Sequence, residues 1–178
     1  SEFLKLYGIL LMQQANDFEF ECECLSSVLK DLSNHDFKQI TQFKNWTIED
    51  ILGHLHLFNV AADITLESGL KFDAFFADIT KELNRGKSLL QAQYPWLNGL
   101  CGKELYDVWL EGSYQTAHNY SKVDPKMRVK WAGPEMSARS SITARQMETW
   151  AHGHEIFGVL GVKRIETDRV KNIVFLGV

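Results

Sequence analysis

With 178 residues the chain has room for one domain with its own buried core and too little for two. Hydrophobic residues make up 45% and charged residues 24%, a globular balance rather than a disordered one. A formal net charge of -4 supplies no basic field, which argues against nucleic acid or an anionic membrane surface as a partner. No run approaches the roughly 18 apolar residues of a membrane span, and Lys5 interrupts the apolar start, so a cytoplasmic protein is expected. Cys22, Cys24 and Cys101 form no C-x-x-C pair, and reduced thiols are the expectation.

A first helix is expected from about Phe3 to Leu32, although its apolar residues make no single clean stripe. Thr47 is a cap candidate with Asp50 three residues on, and Ile48, Ile51, Leu52, Leu55, Phe58, Ala62 and Leu66 then recur at helical spacing up to Gly69. Phe72, Phe75, Phe76, Ile79 and Leu83 continue a helical pattern towards Gln93, with Gly86 as a break, and Tyr94 to Gly102 reads as a connection. Leu105, Val108, Trp109, Gly112 and Thr116 mark a helix from Lys103 to about Lys122, ended by Val123-Asp124-Pro125. Met127 to Met136 reads as an ordered loop, and a long helix follows from about Ser137 to Leu160, stopped by Gly161. A last short segment starts at Thr167-Asp168. In this reading Pro95, Pro125 and Pro134 all fall between helices, and no stretch shows strand alternation or an internal repeat. Four principal helices joined by one crossover loop, with short additional helices, predict an all-α bundle.

Helix geometry sorts the six histidines, because each residue turns the side-chain direction by ~100°. His54 and His56 both border the apolar stripe of the second helix. His56 shares its flank with Glu49, Asp63 and Glu67, an acidic side expected in solvent, whereas His54 neighbours Ile51, Phe58 and Ala61, which makes His54 the inward candidate. On the last long helix Glu148 and His152 stand four apart and share one face, a spacing that suits two ligands of one metal. Ser141, Ala144 and Arg145 occupy that line before them and Glu155 continues it. Met147, Trp150 and Phe157 face the other way, so an ordinary amphipathic helix with Arg145, Glu148, His152 and Glu155 in water explains the pattern equally well. A hydrogen-bonded boundary histidine likewise explains His54, and periodicity leaves both readings open. His118 and His154 are expected on the surface, and His35 offers no spacing argument.

The string Trp131-Ala132-Gly133-Pro134-Glu135-Met136-Ser137-Ala138-Arg139-Ser140, followed by Ala144-Arg145-Gln146-Met147-Glu148-Thr149-Trp150-Ala151-His152-Gly153, carries more information than spacing. It resembles the mycothiol-dependent maleylpyruvate isomerase family, a branch of the DinB-like metalloproteins. Trp46-Thr47-Ile48-Glu49-Asp50-Ile51-Leu52-Gly53-His54-Leu55 is similar to that family's second-helix motif, in which a Trp precedes a helix bearing the first metal-binding His. The resemblance covers most of the chain. It implies a DinB-like four-helix bundle over residues 1–165, with a divalent metal, Zn2+ first and Ni2+ as an alternative, on His54, Glu148 and His152. Thr167-Asp168-Arg169 and Phe175-Leu176-Gly177-Val178 resemble the start of the helix that leads to a C-terminal domain in longer relatives, so residues 166–178 are expected to open a further helix. One departure stands out: the family's histidine-glycine motif is usually followed by Asp, where this chain has Glu155, with His154 in the intervening position.

Two imidazoles and one carboxylate leave a fourth position free on zinc, as catalytic sites do. The resemblance implies a low-molecular-weight thiol as the ligand there, its thiolate attacking a small electrophile. Addition, bond rotation and elimination would isomerise a cis enedione or enoyl acid, and a substrate with a leaving group would give S-transfer. A thiol-dependent isomerase or transferase is therefore expected, with Arg139 and Arg145 as candidates to hold a substrate carboxylate and Glu155 as a candidate to orient His152. The alternative is a non-catalytic metal or small-ligand binding module on the same bundle. The expected partners are the thiol and the electrophile, without nucleic acid or membrane, and a homodimer is left open.

Overall fold

The computed structural model describes residues 2–176. In chain order the elements are α1 (Glu2–Leu29), α2 (Ile48–Glu67), α3 (Gly69–Asn84), α4 (Leu89–Leu97), α5 (Gly102–Tyr120), β1 (Arg128–Val129), β2 (Met136–Ser137), α6 (Ala138–Leu160) and α7 (Lys171–Leu176). The fold is all-α, as expected. Its few strand residues form one antiparallel ladder in the crossover between α5 and α6, pairing Val129 with Met136.

α1 and α2 each pack against both α5 and α6, which closes a four-helix bundle, while α3 and α4 are inserted between α2 and α5 and lean on α2 and on each other. Phe18, Cys22 and Leu25 from α1, Ile51 and Leu55 from α2, Leu105 and Trp109 from α5, and Ile142 and Ile156 from α6 meet in one buried core. Each large aliphatic side chain taken from water there contributes about 1.5–3 kcal/mol. This contiguous core, rather than local helix propensity, is what holds the bundle together.

The helix ends follow local chemistry. At the start of α2 the Thr47 hydroxyl accepts from the Asp50 N–H at 3.1 Å, and the Asp50 carboxylate accepts from the Thr47 N–H at 2.9 Å, the capping box read in the sequence. Gly161, at a φ of 67°, ends α6 in the left-handed conformation that glycine adopts without a Cβ penalty. Between α1 and α2 the chain turns through Lys44 and Asn45, both in the left-handed region at φ 50° and 58°, and the Thr41 hydroxyl donates to the Trp46 carbonyl at 2.9 Å. That turn folds Trp46 back into the core.

Two local expectations need correcting. Tyr94 to Leu97 is not a connection but the last part of α4, and Pro95 lies inside that helix. A second capping box, Ser88 with Gln91, starts α4, and Asn98 in the left-handed conformation ends it, so strong end signals outweigh the backbone hydrogen bond that proline cannot donate. His56 is also not on a solvated flank. It is 8% exposed, because α4 brings Trp96 against its ring and α5 lies over the same side at Gly112. Asp63, on that flank, is covered as well, accepting hydrogen bonds from Thr116 and Asn119 of α5. α2 is enclosed nearly all round, so a two-sided reading of it breaks down.

After Gly161 the chain returns along α1 and α6 through a 3-10 turn (Asp168–Val170) into α7. α7 falls within residues 166–178, of which Gly177 and Val178 lie outside the described residues.

Candidate metal centre

His54 projects from the middle of α2 towards α6, where Glu148 and His152 occupy successive turns of one face. His54 Nε2 and His152 Nε2 lie 3.4 and 3.1 Å from the same oxygen, Oε2 of Glu148, and one ligand atom from each of the three side chains falls within 4.8 Å of the others. Residues nearly a hundred positions apart thus converge on one point. Among the described residues this is the group of three or more His, Cys, Asp or Glu side chains so placed.

The surroundings are largely apolar. Phe43 meets the His152 ring edge-on with centroids 4.9 Å apart, and Trp46 lies parallel to it at 6.5 Å. Phe58 packs on His54 at 4.8 Å. Trp131, carried by the crossover between β1 and β2, closes over Phe58 at 5.9 Å. Glu148 keeps the contact with solvent, its side chain 34% exposed against 8% for His54 and 13% for His152. Access to the three groups is therefore from the carboxylate side.

Charge states follow from this packing. Hydrogen bonds from His152 and then His54 hold the Glu148 carboxyl well below the usual carboxylate range, against the opposing effect of burial. Burial pushes the His54 imidazole down, and its bond to Glu148 offsets only part of that. The contact is thus a neutral imidazole donating to an ionised carboxylate rather than a buried ion pair. Those are the protonation states a divalent cation requires of such ligands.

Two of the three separations, both N···O, are close to the edge of about 3.3 Å in a tetrahedron with ligands at about 2.0–2.1 Å, and all three ligand atoms lie within 4.8 Å of one another. Two borderline nitrogen donors and one carboxylate suit zinc, and equally nickel, cobalt or iron.

The remaining sequence candidates separate. Arg145, one turn before Glu148, is 3% exposed, and its guanidinium lies 5.5 Å from the ring centres of both Phe58 and Trp131. Its Nε and Nη1 have no hydrogen-bond partner among the described residues, and burial works against its charge while nearby Glu148 supports it. Of the four side chains that the water-facing alternative places in solvent, Arg145 is buried, while Glu148, His152 and Glu155 are half-buried. Arg139 is exposed at the start of α6, nine residues before Glu148, beside Lys122 and Lys126 on a surface hollow. Glu155 is half-buried and lines a different hollow with Gln42 and His154, with no hydrogen bond to His152. His35, His118 and His154 are exposed.

Sequence reasoning missed Gln93. Its side chain, 0% exposed, places Nε2 3.0 Å from Nδ1 of His54, on the side of the ring away from Glu148. A signal existed: Leu89, Trp96 and Leu97 form an apolar stripe on α4, and Gln93 is the polar residue set within it.

Residues 18–157 match the family described as Mycothiol maleylpyruvate isomerase N-terminal domain. Two uncharacterized proteins of Mycobacterium tuberculosis, from strains CDC 1551 / Oshkosh and ATCC 25618 / H37Rv, are each 29% identical to the chain over 163 residues. The match covers 91% of this chain, which spans only 62% of the length of either relative. No solved structure matches significantly. The aligned span contains His54, Glu148 and His152 on the helices that bring them together, and the chain belongs to the mycothiol maleylpyruvate isomerase N-terminal domain family.

Proposed function

We propose that the domain holds one divalent cation, zinc first among the candidates, on His54, Glu148 and His152, and uses it in a thiol-dependent isomerisation or S-transfer on a small electrophile. The observation that carries this reading is the convergence of the three ligand atoms within 4.8 Å in a largely apolar, partly closed setting. A bound cation would supply Lewis acidity, keeping a low-molecular-weight thiol ionised at neutral pH. The rest falls to the chain. His54 and His152 would each present a ring nitrogen, Glu148 would contribute the one negative charge, and Phe43, Trp46, Phe58 and Trp131 limit access of water.

Arg145 gives the site its second role. A buried guanidinium with two unpartnered donors is costly, and ring faces alone do not satisfy its N–H groups. With a divalent cation also present, one carboxylate would leave the site doubly positive, and anionic ligands would be needed to balance it. A thiolate and a substrate carboxylate, the latter received by Arg145, meet that need. Arg139 and Glu155, turned to other surfaces, are given no such task.

The test is metal analysis of the purified chain, followed by thiol consumption with glutathione, mycothiol and bacillithiol against electrophiles with and without a carboxylate. The expected result is about one metal per chain with turnover that vanishes in His152→Ala. Arg145→Met should keep the metal and slow carboxylate-bearing electrophiles about tenfold or more. Stoichiometric metal without turnover of any thiol would assign the chain the binding role alone, and a chain that retains no metal would overturn the proposal.

A further inference from the structure

Gln93 is a buried amide with one end against a metal-candidate histidine and the other end unsatisfied. Its Nε2 lies 3.0 Å from Nδ1 of His54, and its Oε1, also buried, has no hydrogen-bond partner among the described residues. A neutral imidazole carries one proton, on one nitrogen or the other. An ionised Glu148 carboxylate, 3.4 Å from Nε2, can only accept, so with the proton on Nε2 the Nδ1 is bare and can accept from the Gln93 amide. If Nε2 of His54 ligates a cation, the proton must sit on Nδ1, and an N–H would then face an N–H. The carboxamide resolves this by turning half a revolution about its last bond, which brings the unsatisfied Oε1 to Nδ1–H.

We propose that Gln93 is a positioning residue for the metal centre, fixing the tautomer of His54 by exchanging its amide ends as the cation binds. This rests on the metal-binding reading above. The placement favours it on three counts. Gln93 comes from α4, an element that contributes no ligand, so its contact with His54 is not a by-product of helix α6. It is 0% exposed, so no water competes for Nδ1 from that side. It is also the polar residue in the apolar stripe of a short helix, a position where leucine would pack without leaving an orphaned carbonyl. A hydrogen bond to the far nitrogen of a ligating histidine orients the ring and raises its basicity, and losing one typically weakens metal affinity about 10- to 100-fold.

The experiment measures zinc affinity by chelator competition on the full chain, for wild type, Gln93→Leu and Gln93→Glu, with helicity checked by circular dichroism. Gln93→Leu should bind zinc about tenfold or more weakly while remaining helical, and Gln93→Glu, which restores an acceptor, should bind at least as tightly as wild type. Nitrogen NMR of wild type, with His54 assigned by comparison with His54→Ala, should show the ring proton on Nε2 without metal and on Nδ1 with zinc. This readout holds even if a Gln93 variant fails to fold. Wild-type zinc binding together with unchanged affinity in a folded Gln93→Leu, or with Nδ1 lacking its proton in the zinc form, overturns the role of Gln93 alone. A wild type that binds no zinc overturns the metal-centre reading with it.

Discussion

His56 shows how a single side chain two positions from a candidate ligand takes a different part. Burial against Trp96 and α5 pushes its imidazole down to about 4, and its Nδ1 has no hydrogen-bond partner among the described residues. The folded state therefore prefers it neutral, whereas the unfolded chain protonates it near the ordinary value of about 6.5. Between those two values the unfolded state binds more protons, so its contribution to stability is complete above about pH 6.5 and is lost as the pH falls towards 4. The size of the effect is on the order of 3 kcal/mol at most. Urea denaturation of the metal-free chain at several pH values measures it: His56→Gln should flatten the fall in stability between pH 6.5 and 4, and a parallel fall in both proteins would refute the assignment. His54, whose pKa burial also lowers, adds a slope of the same sign to both, so the difference isolates His56.

At the scale of elements, the segment after α6 is fastened by a cluster of charged and polar side chains. Glu21 of α1, with a side chain 1% exposed, is paired with both Arg164 and Arg169, and the Gln146 amide donates to the Arg169 carbonyl at 2.6 Å. Asn172 of α7 adds a bond to Asp17. Removing one partner of such a buried cluster leaves uncompensated charge, at a cost of about 3–5 kcal/mol. Glu21→Ala should therefore expose residues 162–176 to proteolysis and amide exchange while α2, α5 and most of α6 stay protected; unchanged protection of the segment would show that its apolar contacts suffice. None of this was legible in the sequence, because Glu21, Arg164 and Arg169 look like solvated charges until the chain doubles back. The long helices were legible, since their apolar spacing and caps at Thr47 and Gly161 act within a few residues. The end of α4 was missed, because Tyr94 onwards was read as a connection with Pro95 between helices. The three ligand candidates were found from the resemblance more than from spacing, while Gln93 and the burial of Arg145 depend on contacts between elements, which no periodicity encodes.

For the whole molecule, the question is whether a metal would create the fold or settle into one already standing. The core that joins α1, α2, α5 and α6 runs through Phe18, Leu25, Ile51, Leu55, Trp109 and Ile156, and none of these is a ligand candidate. The three ligand side chains also make close contacts with one carboxylate oxygen and aromatic contacts with Phe43, Trp46 and Phe58. A small zinc finger, by contrast, unfolds when its metal is removed. Here chelation should leave the far-ultraviolet circular dichroism essentially unchanged and lower only the thermal midpoint. A ligand that binds the native state alone stabilises it by about 2.7 kcal/mol at a hundredfold excess over its dissociation constant. In a domain of this size that corresponds to a midpoint shift of roughly 5–10 °C. Thermal melts of the wild type with zinc and with a chelator test this, and the shift should disappear in His54→Ala, which lacks a ligand but keeps the core. Loss of helicity on chelation would mean that the cation organises the bundle, and an equal shift in His54→Ala would place its binding site elsewhere.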